Sequence, residues 1–335
     1  MSIENPTIAA NESAQNLPAR GITDQYCAVI SKQQREDPIG TAPHYARYLL
    51  IEIPLPWESN VTHSRHFPEG LNDVLARCAE QSDTFRFLAF CSDTRRSPSG
   101  YVRLFFFDRP AFPCAAFRKR EYVVAEDRLN ALVESLLQNN GQLPDFDDAL
   151  QPTKHIRELF VCTHGARDKC CGTFGFPIYR HIEDHYAAAS GGNIRVWRTS
   201  HIGGHRFAPT LIDFPEGRFW AHATPDMLRM LIERKGSFAE ISRHYRGWGM
   251  IGRYEQAAER ELFLKFGWNW IDYDKDTQLI DSGEPIVRVR IRYRSPDGEC
   301  GEYNAEVEIV GKVQIGGCGN EWSETNQYRV RQLPL

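Results

Sequence analysis

ELFVCTHG (residues 158–165), the polar turn ARDK, the pair Cys170-Cys171, the link GTFGF, the segment PIYRHIEDHYAAAS (177–190), the Gly191-Gly192 turn and the run NIRVWRTS (193–200) follow one another without interruption. A short apolar run bounded by turn residues reads as a buried strand, and helical spacing between two such runs marks a strand–helix–strand unit. We therefore expect a strand ending at Cys162, a helix over 177–189 and a second strand ending before His201. His201-Ile-Gly-Gly-His205 comes directly after that strand. In α/β layers the loops past the strand ends usually carry ligands and reactive groups. The two glycines between the imidazoles argue against a helical pair and suit a loop bent closely around a bulky object. Cys171, followed by Gly172, stands near the start of the helix, where the N-terminus favours a thiolate. Two thiolates and two imidazoles form a set suited to zinc or to an iron–sulfur centre, and the residue types leave both open.

The pattern C-T-H-G-x-R-D-x-C-C-G from Cys162, followed by H-x-G-G-H-x-x-A-P from His201, resembles the sucrase/ferredoxin-like family of thioredoxin-like ferredoxins. The likeness is strongest over about 155–250. It implies one [2Fe–2S] cluster, with Cys162 and Cys171 on one iron and His201 and His205 on the other. The family motif sets its second cysteine directly before glycine, which selects Cys171, with Cys170 as the nearest alternative. The resemblance also implies an electron-transfer protein with unidentified redox donor and acceptor proteins.

The rest of the chain frames that unit. At 335 residues there is room for two or three domains, and 41% hydrophobic with 25% charged residues is ordinary soluble composition. A net charge of −4 with scattered basic residues gives no footprint for nucleic acid. No apolar run reaches the ~20 residues that span a bilayer and no signal-peptide core is visible, so we expect no membrane span and a cytoplasmic protein. Nine irregularly spaced cysteines do not form a secreted disulfide framework.

Residues 1–20 read as a disordered tail. Strands are expected at YARYLLIEIP (45–54), FRFLAFCSD, GYVRLFFFDR and CAAFRKREYVVA, and helices at LNDVLARCAEQ, with Cys78 in the core, and EDRLNALVESLLQNN. This makes 21–145 an N-terminal thioredoxin-like α/β domain with no matching Cys–His set, joined by a Pro- and Asp-rich linker (141–155) to the ferredoxin domain at 155–250. There TLIDFPEG and RFWAHA read as a hairpin. Thr224-Pro225 opens a helix that Gly236 ends. Ser237 to Trp270 reads as helical, its aromatics forming an extra core layer. Residues 251–335 complete the chain as a helix plus a small antiparallel β appendage, in which Arg288, Arg290, Arg292 and Arg294 line one strand face. Cross-strand pairing with Glu302, Glu306 and Glu308 is the plainer reading of that row, and docking of an acidic donor the sharper one.

The fold class expected is thus α/β (α+β): a thioredoxin-like ferredoxin domain preceded by a degenerate second copy and followed by the appendage. The function expected is a one-electron carrier, with proton uptake at the histidine ligands when the cluster is reduced. The alternatives are a zinc-stabilised binding module and a thiol oxidoreductase, the latter disfavoured because no C-x-x-C is present. No paired carboxylates support sucrase activity. Around the ligands, Arg167 and Asp168 are expected to pair, Thr163 and Ser200 to donate to sulfur, and His164 to act as a hydrogen-bond partner. His181, Glu183 and His185 read as an exposed helix face. Cys318 is expected in a turn, without a disulfide.

Overall fold

The structure is a computed structural model, and it describes residues 25–81, 85–138 and 141–334. The expected tail at 1–20 lies outside the described residues. The chain begins with α1 (Cys27–Gln33) and runs into β1 (Arg47–Glu52), α2 (Leu71–Gln81), β2 (Phe85–Cys91), β3 (Tyr101–Asp108), β4 (Arg118–Ala125) and α3 (Leu129–Gln138). The pattern then repeats as β5 (Arg157–Cys162), α4 (Lys169–Ile182), β6 (Ile194–Thr199), β7 (Leu211–Phe214), β8 (Arg218–Trp220) and α5 (Pro225–Glu233). Next come α6 (Phe238–Ile241), β9 (Tyr245–Trp248) and α7 (Arg253–Phe266). The chain closes with β10 (Asp274–Asp281), β11 (Ile286–Arg294), β12 (Cys300–Gly317) and β13 (Asn320–Gln332).

Nine strands form one mixed sheet in the order β4-β3-β1-β2-β6-β5-β7-β8-β9. Each half has the thioredoxin-like order: its first two strands are parallel, and the third runs antiparallel to the first. The halves join edge to edge where β2 meets β6, through only Phe90↔Thr199 and Cys91↔Arg198. Such a short seam cannot hold them alone, so the faces do. Because side chains alternate along a strand, Leu49 and Ile51 of β1 pack under α2 and α3, while Tyr48 and Leu50 face the other way. In the second half Leu159 and Val161 point to the α4 and α5 layer, and Phe160 and Cys162 to the opposite side. The two inner faces meet in one aromatic core, where Phe107 stacks on Phe214 at 3.9 Å and Phe105 meets Phe160 at 5.6 Å.

Charge is buried at this junction. Glu158 of β5 accepts hydrogen bonds from Lys119 Nζ of β4 at 2.5 Å, from Trp197 Nε1 at 2.7 Å and from the Arg195 guanidinium. Arg195 also donates to Glu121 of β4 at 2.5 Å. Burial opposes ionisation of Glu121, but the hydrogen bond and charge of Arg195, with Thr153 and Arg103, together outweigh it and hold the carboxyl below its usual range. Every charge in the group has a partner of opposite sign, the condition for tolerating buried ions.

Three expectations need correction. The helix after Cys162 begins at Lys169, not Pro177, so the GTFGF glycines lie inside it. They are there for space. A Cβ on Gly175 would sit 1.9 Å from the Cys162 carbonyl oxygen, and one on Gly172 would sit 2.7 Å from Gly165 Cα. Close approach of helix to strand end therefore outweighs helix propensity. Residues 245–248 within the expected helical stretch are strand β9, which adds to the sheet edge beside β8. The helix opened by Thr224 ends at Glu233 with Arg234 in the left-handed region (φ 51°), before Gly236 is reached.

The last four strands form the separate antiparallel sheet expected of the appendage. Val287, Val289 and Ile291 are buried beside α7 in one shared core. The arginines on the other face pair as Arg288–Glu306 (3.2 Å) and Arg290–Glu302 (3.3 Å). Arg292 and Arg294 instead reach Asp276 and Asp274 of β10.

Glu158→Ala would leave Lys119 and Arg195 short of a counter-ion at the junction of the two halves. We expect a loss of about 3–5 kcal/mol in unfolding free energy by denaturant titration; a loss within error would mean the junction does not depend on this ion group.

Candidate metal centre

β5 ends at Cys162, and the loop after it returns as α4. Asp168 caps that helix, its Oδ1 accepting from Cys170 N at 2.8 Å. Cys170 and Cys171 thereby fall in the first turn, where adjacent residues point in different directions. Cys171 turns back to the strand ends and meets Cys162 and His201, the donor atoms of all three lying within 4.8 Å of one another. Cys170 points away from that group, still fully buried, and meets Cys27 of α1 at 3.4 Å and Cys318 of the β12–β13 turn at 3.2 Å. The neighbouring cysteines thus serve two separate groups.

His201 follows β6, its Nδ1 3.8 Å from Cys171 Sγ. Its carbonyl accepts from Arg86 at 2.7 Å, and its N–H donates to His164 Nδ1 at 3.3 Å. His164 Nε2 in turn donates to the Glu58 carbonyl at 2.8 Å. That fixes His164 as a neutral tautomer with both nitrogens committed, so it orients His201. His205 stands with its ring 5.8 Å from that of His201, and its Nδ1 contacts Asp168 Oδ2 at 2.8 Å and Cys27 Sγ at 3.1 Å. Three of the four expected ligands are therefore brought together, and the fourth, His205, lines with His201 a cleft of about 440 Å³ floored by the Gly165–Lys169 turn. A larger cleft of about 780 Å³ in the first half is lined by Glu52, His66 and Glu126 and by no cysteine.

The object around which the HIGGH loop bends is Arg246 of β9. Its guanidinium donates to the Gly203 carbonyl at 3.0 Å, and a Cβ on Gly204 (φ 73°) would lie 2.5 Å from it. Burial lowers the Arg246 pKa to about 9.

Within each thiol group one sulfur gathers the negative charge. Cys162 is held well below its ordinary value, first by the S–H of Cys171 and then by His201 against the cost of burial, while Cys171 is pushed up. In the other group Cys170 is lowered to about 6 by the hydrogen bond with Cys27, whose own thiol is raised.

Several neighbours do something other than expected. Asp168 pairs with His205, not Arg167. Ser200 Oγ accepts from Ala89 N at 3.0 Å and Thr163 Oγ1 accepts from Arg198, and among the described residues neither hydroxyl has a hydrogen bond to a sulfur. Glu183 turns away from His181 and His185 to bind Arg95 at 2.7 Å. Cys27, Cys318 and the double role of Asp168 escaped the sequence reading. The only signal was the glycine-flanked Cys318, which by itself marks a turn.

A family model described as sucrase/ferredoxin-like matches residues 38–247, well over half the chain. The chain belongs to the sucrase/ferredoxin-like family. Comparison with curated proteins and with solved structures yields no match. The family match contains Cys162, Cys170, Cys171, His201 and His205 and excludes Cys27 and Cys318.

His164→Ala removes the acceptor that holds His201. We expect metal affinity to fall about 10–100-fold in chelator competition, with the far-ultraviolet circular dichroism unchanged; full affinity would show that His164 does not orient this ligand.

Proposed function

We propose that the chain is a one-electron carrier that holds a [2Fe–2S] cluster on Cys162, Cys171, His201 and His205. The observation that carries this reading is the convergence of Cys162, Cys171 and His201 on one point, in a chain of the sucrase/ferredoxin-like family. The donor set suits the group. His205 gives its Nδ1–H to Asp168, which leaves Nε2 as its lone-pair donor, the usual carboxylate–histidine–metal relation. When bound, the cluster supplies reversible one-electron redox at a potential raised by histidine ligation.

The chain's own residues divide the work. Cys162 and Cys171, each about 1% exposed, supply thiolates from the dry side, where Phe160 and Trp197 of the shared core exclude water. His201 and His205 form the solvent-open rim, which is where a donor or acceptor protein would approach. With Nδ1 turned to Cys171, His201 keeps Nε2 as the atom able to hold a proton, whereas the second nitrogen of His205 is committed to Asp168.

The burial of both cysteines speaks against a thiol oxidoreductase, because no disulfide substrate reaches them. All nine cysteines are free, as a reducing cytoplasm would keep them. Among the described residues no helix is long and apolar enough to cross a membrane. The donor and acceptor are redox proteins to be identified.

Protein purified without oxygen should be red-brown and, once reduced, give a rhombic paramagnetic resonance signal of low average g. His201→Cys should lower the midpoint potential, because a thiolate adds negative charge to the cluster. A colourless protein carrying stoichiometric zinc on these residues would replace the carrier with a zinc-stabilised module.

A further inference from the structure

We propose that Cys27, Cys170 and Cys318 form a second metal site, a thiolate-rich tetrahedral Zn²⁺ site completed by the Asp168 carboxylate. The three sulfurs stand 3.2, 3.4 and 3.5 Å from one another, with an Asp168 oxygen in the same 4.8 Å group. Three thiols cannot all be closed by disulfides, and these separations far exceed an S–S bond of about 2.05 Å. They approach the sulfur–sulfur edge of a tetrahedron with zinc–sulfur bonds of about 2.3 Å. Three soft thiolates select a thiophilic cation, and one hard oxygen favours Zn²⁺ over Cu⁺.

The convergence is built from distant chain segments. Cys27 and Cys170 lie 143 residues apart in sequence, Cys170 and Cys318 148, and Cys27 and Cys318 291. Cys318 takes a left-handed conformation (φ 54°) between Gly317 (φ 95°) and Gly319 (φ 79°), a state a non-glycine residue adopts only when its surroundings impose it. Its N–H donates to the Gln25 carbonyl at 2.7 Å, and Cys27 N–H donates to Cys318 Sγ at 3.4 Å. Gly317 lets this contact form, since a Cβ there would lie 2.7 Å from the Gln25 oxygen and 3.0 Å from Cys27 Cα.

The long β12–β13 hairpin therefore delivers a thiol to α1 and to the first turn of α4. The metal would staple the N-terminal segment, the ferredoxin-like half and the appendage at one point. Two of its thiols lie outside the family match, so the staple goes beyond the family motif. The proposal does not depend on which metal Cys162, Cys171 and His201 hold.

The test is zinc analysis and zinc K-edge X-ray absorption on the full chain purified without oxygen from zinc-supplied cells. We expect about one zinc per chain with about three sulfurs at ~2.3 Å and one lighter donor. Cys318→Ser should lower zinc content at least about tenfold while leaving iron content and the visible spectrum unchanged. A zinc shell of two sulfurs and two nitrogens, retained in Cys318→Ser and lost in His201→Ala, would overturn both this proposal and the electron-carrier reading. No zinc as purified, and none taken up from buffered Zn²⁺ by the reduced protein, would overturn this proposal alone. Should Cys318→Ser fail to fold, the absorption measurement on the unaltered chain still decides between three sulfurs and two.

Discussion

The contact on which the site depends is the seating of α4 against the end of β5. Gly175 brings the helix so close that any side chain there would overlap the Cys162 carbonyl oxygen. Only at that distance does Cys171, in the helix's first turn, reach Cys162 at the end of the strand and His201 beyond β6. The same seating throws Cys170 to the other side of the helix. One geometric constraint, bought with two glycines inside a helix, thus sets the direction of both thiol groups.

The sheet junction supports this arrangement from behind. Two residue pairs between β2 and β6 are a weak seam, and the ring stack of Phe107 on Phe214 with the Lys119–Glu158–Arg195–Glu121 group supplies the rest. Cys162 lies on the face that this junction covers. The first half, which among the described residues has no ligand group made wholly from its own side chains, gives the second a dry wall. It also sends Arg86 to the His201 carbonyl and the Glu58 carbonyl to His164. Its part in the site is positional.

The appendage has a comparable role on the opposite side. Its inner face packs with α7, its outer arginines are answered by acidic residues on neighbouring strands, and its hairpin turn carries Cys318 to α1. Ion pairs on so exposed a face contribute little stability each. The buried apolar face and the turn's contacts with Gln25 and Cys27 are therefore its stronger anchors.

What the sequence by itself determined is whatever local patterning records. The apolar runs at β1, β3 and β5 are dictated by burial, Cys78 is core at helical spacing, and the cysteine and histidine pairs stand at strand ends. Each of these is written within a dozen residues. What only the tertiary structure decided are contacts between separate elements of the fold, a few of them between residues more than a hundred positions apart. The Gly-rich link belongs to a helix because a strand end presses on it, and Tyr245–Trp248 is a strand because β8 offers an edge. Arg246 fills the HIGGH loop, His205 turns to Asp168, and Cys27 and Cys318 join Cys170. Spacing along the chain carries no trace of such meetings, since they follow from how the folded layers close on one another.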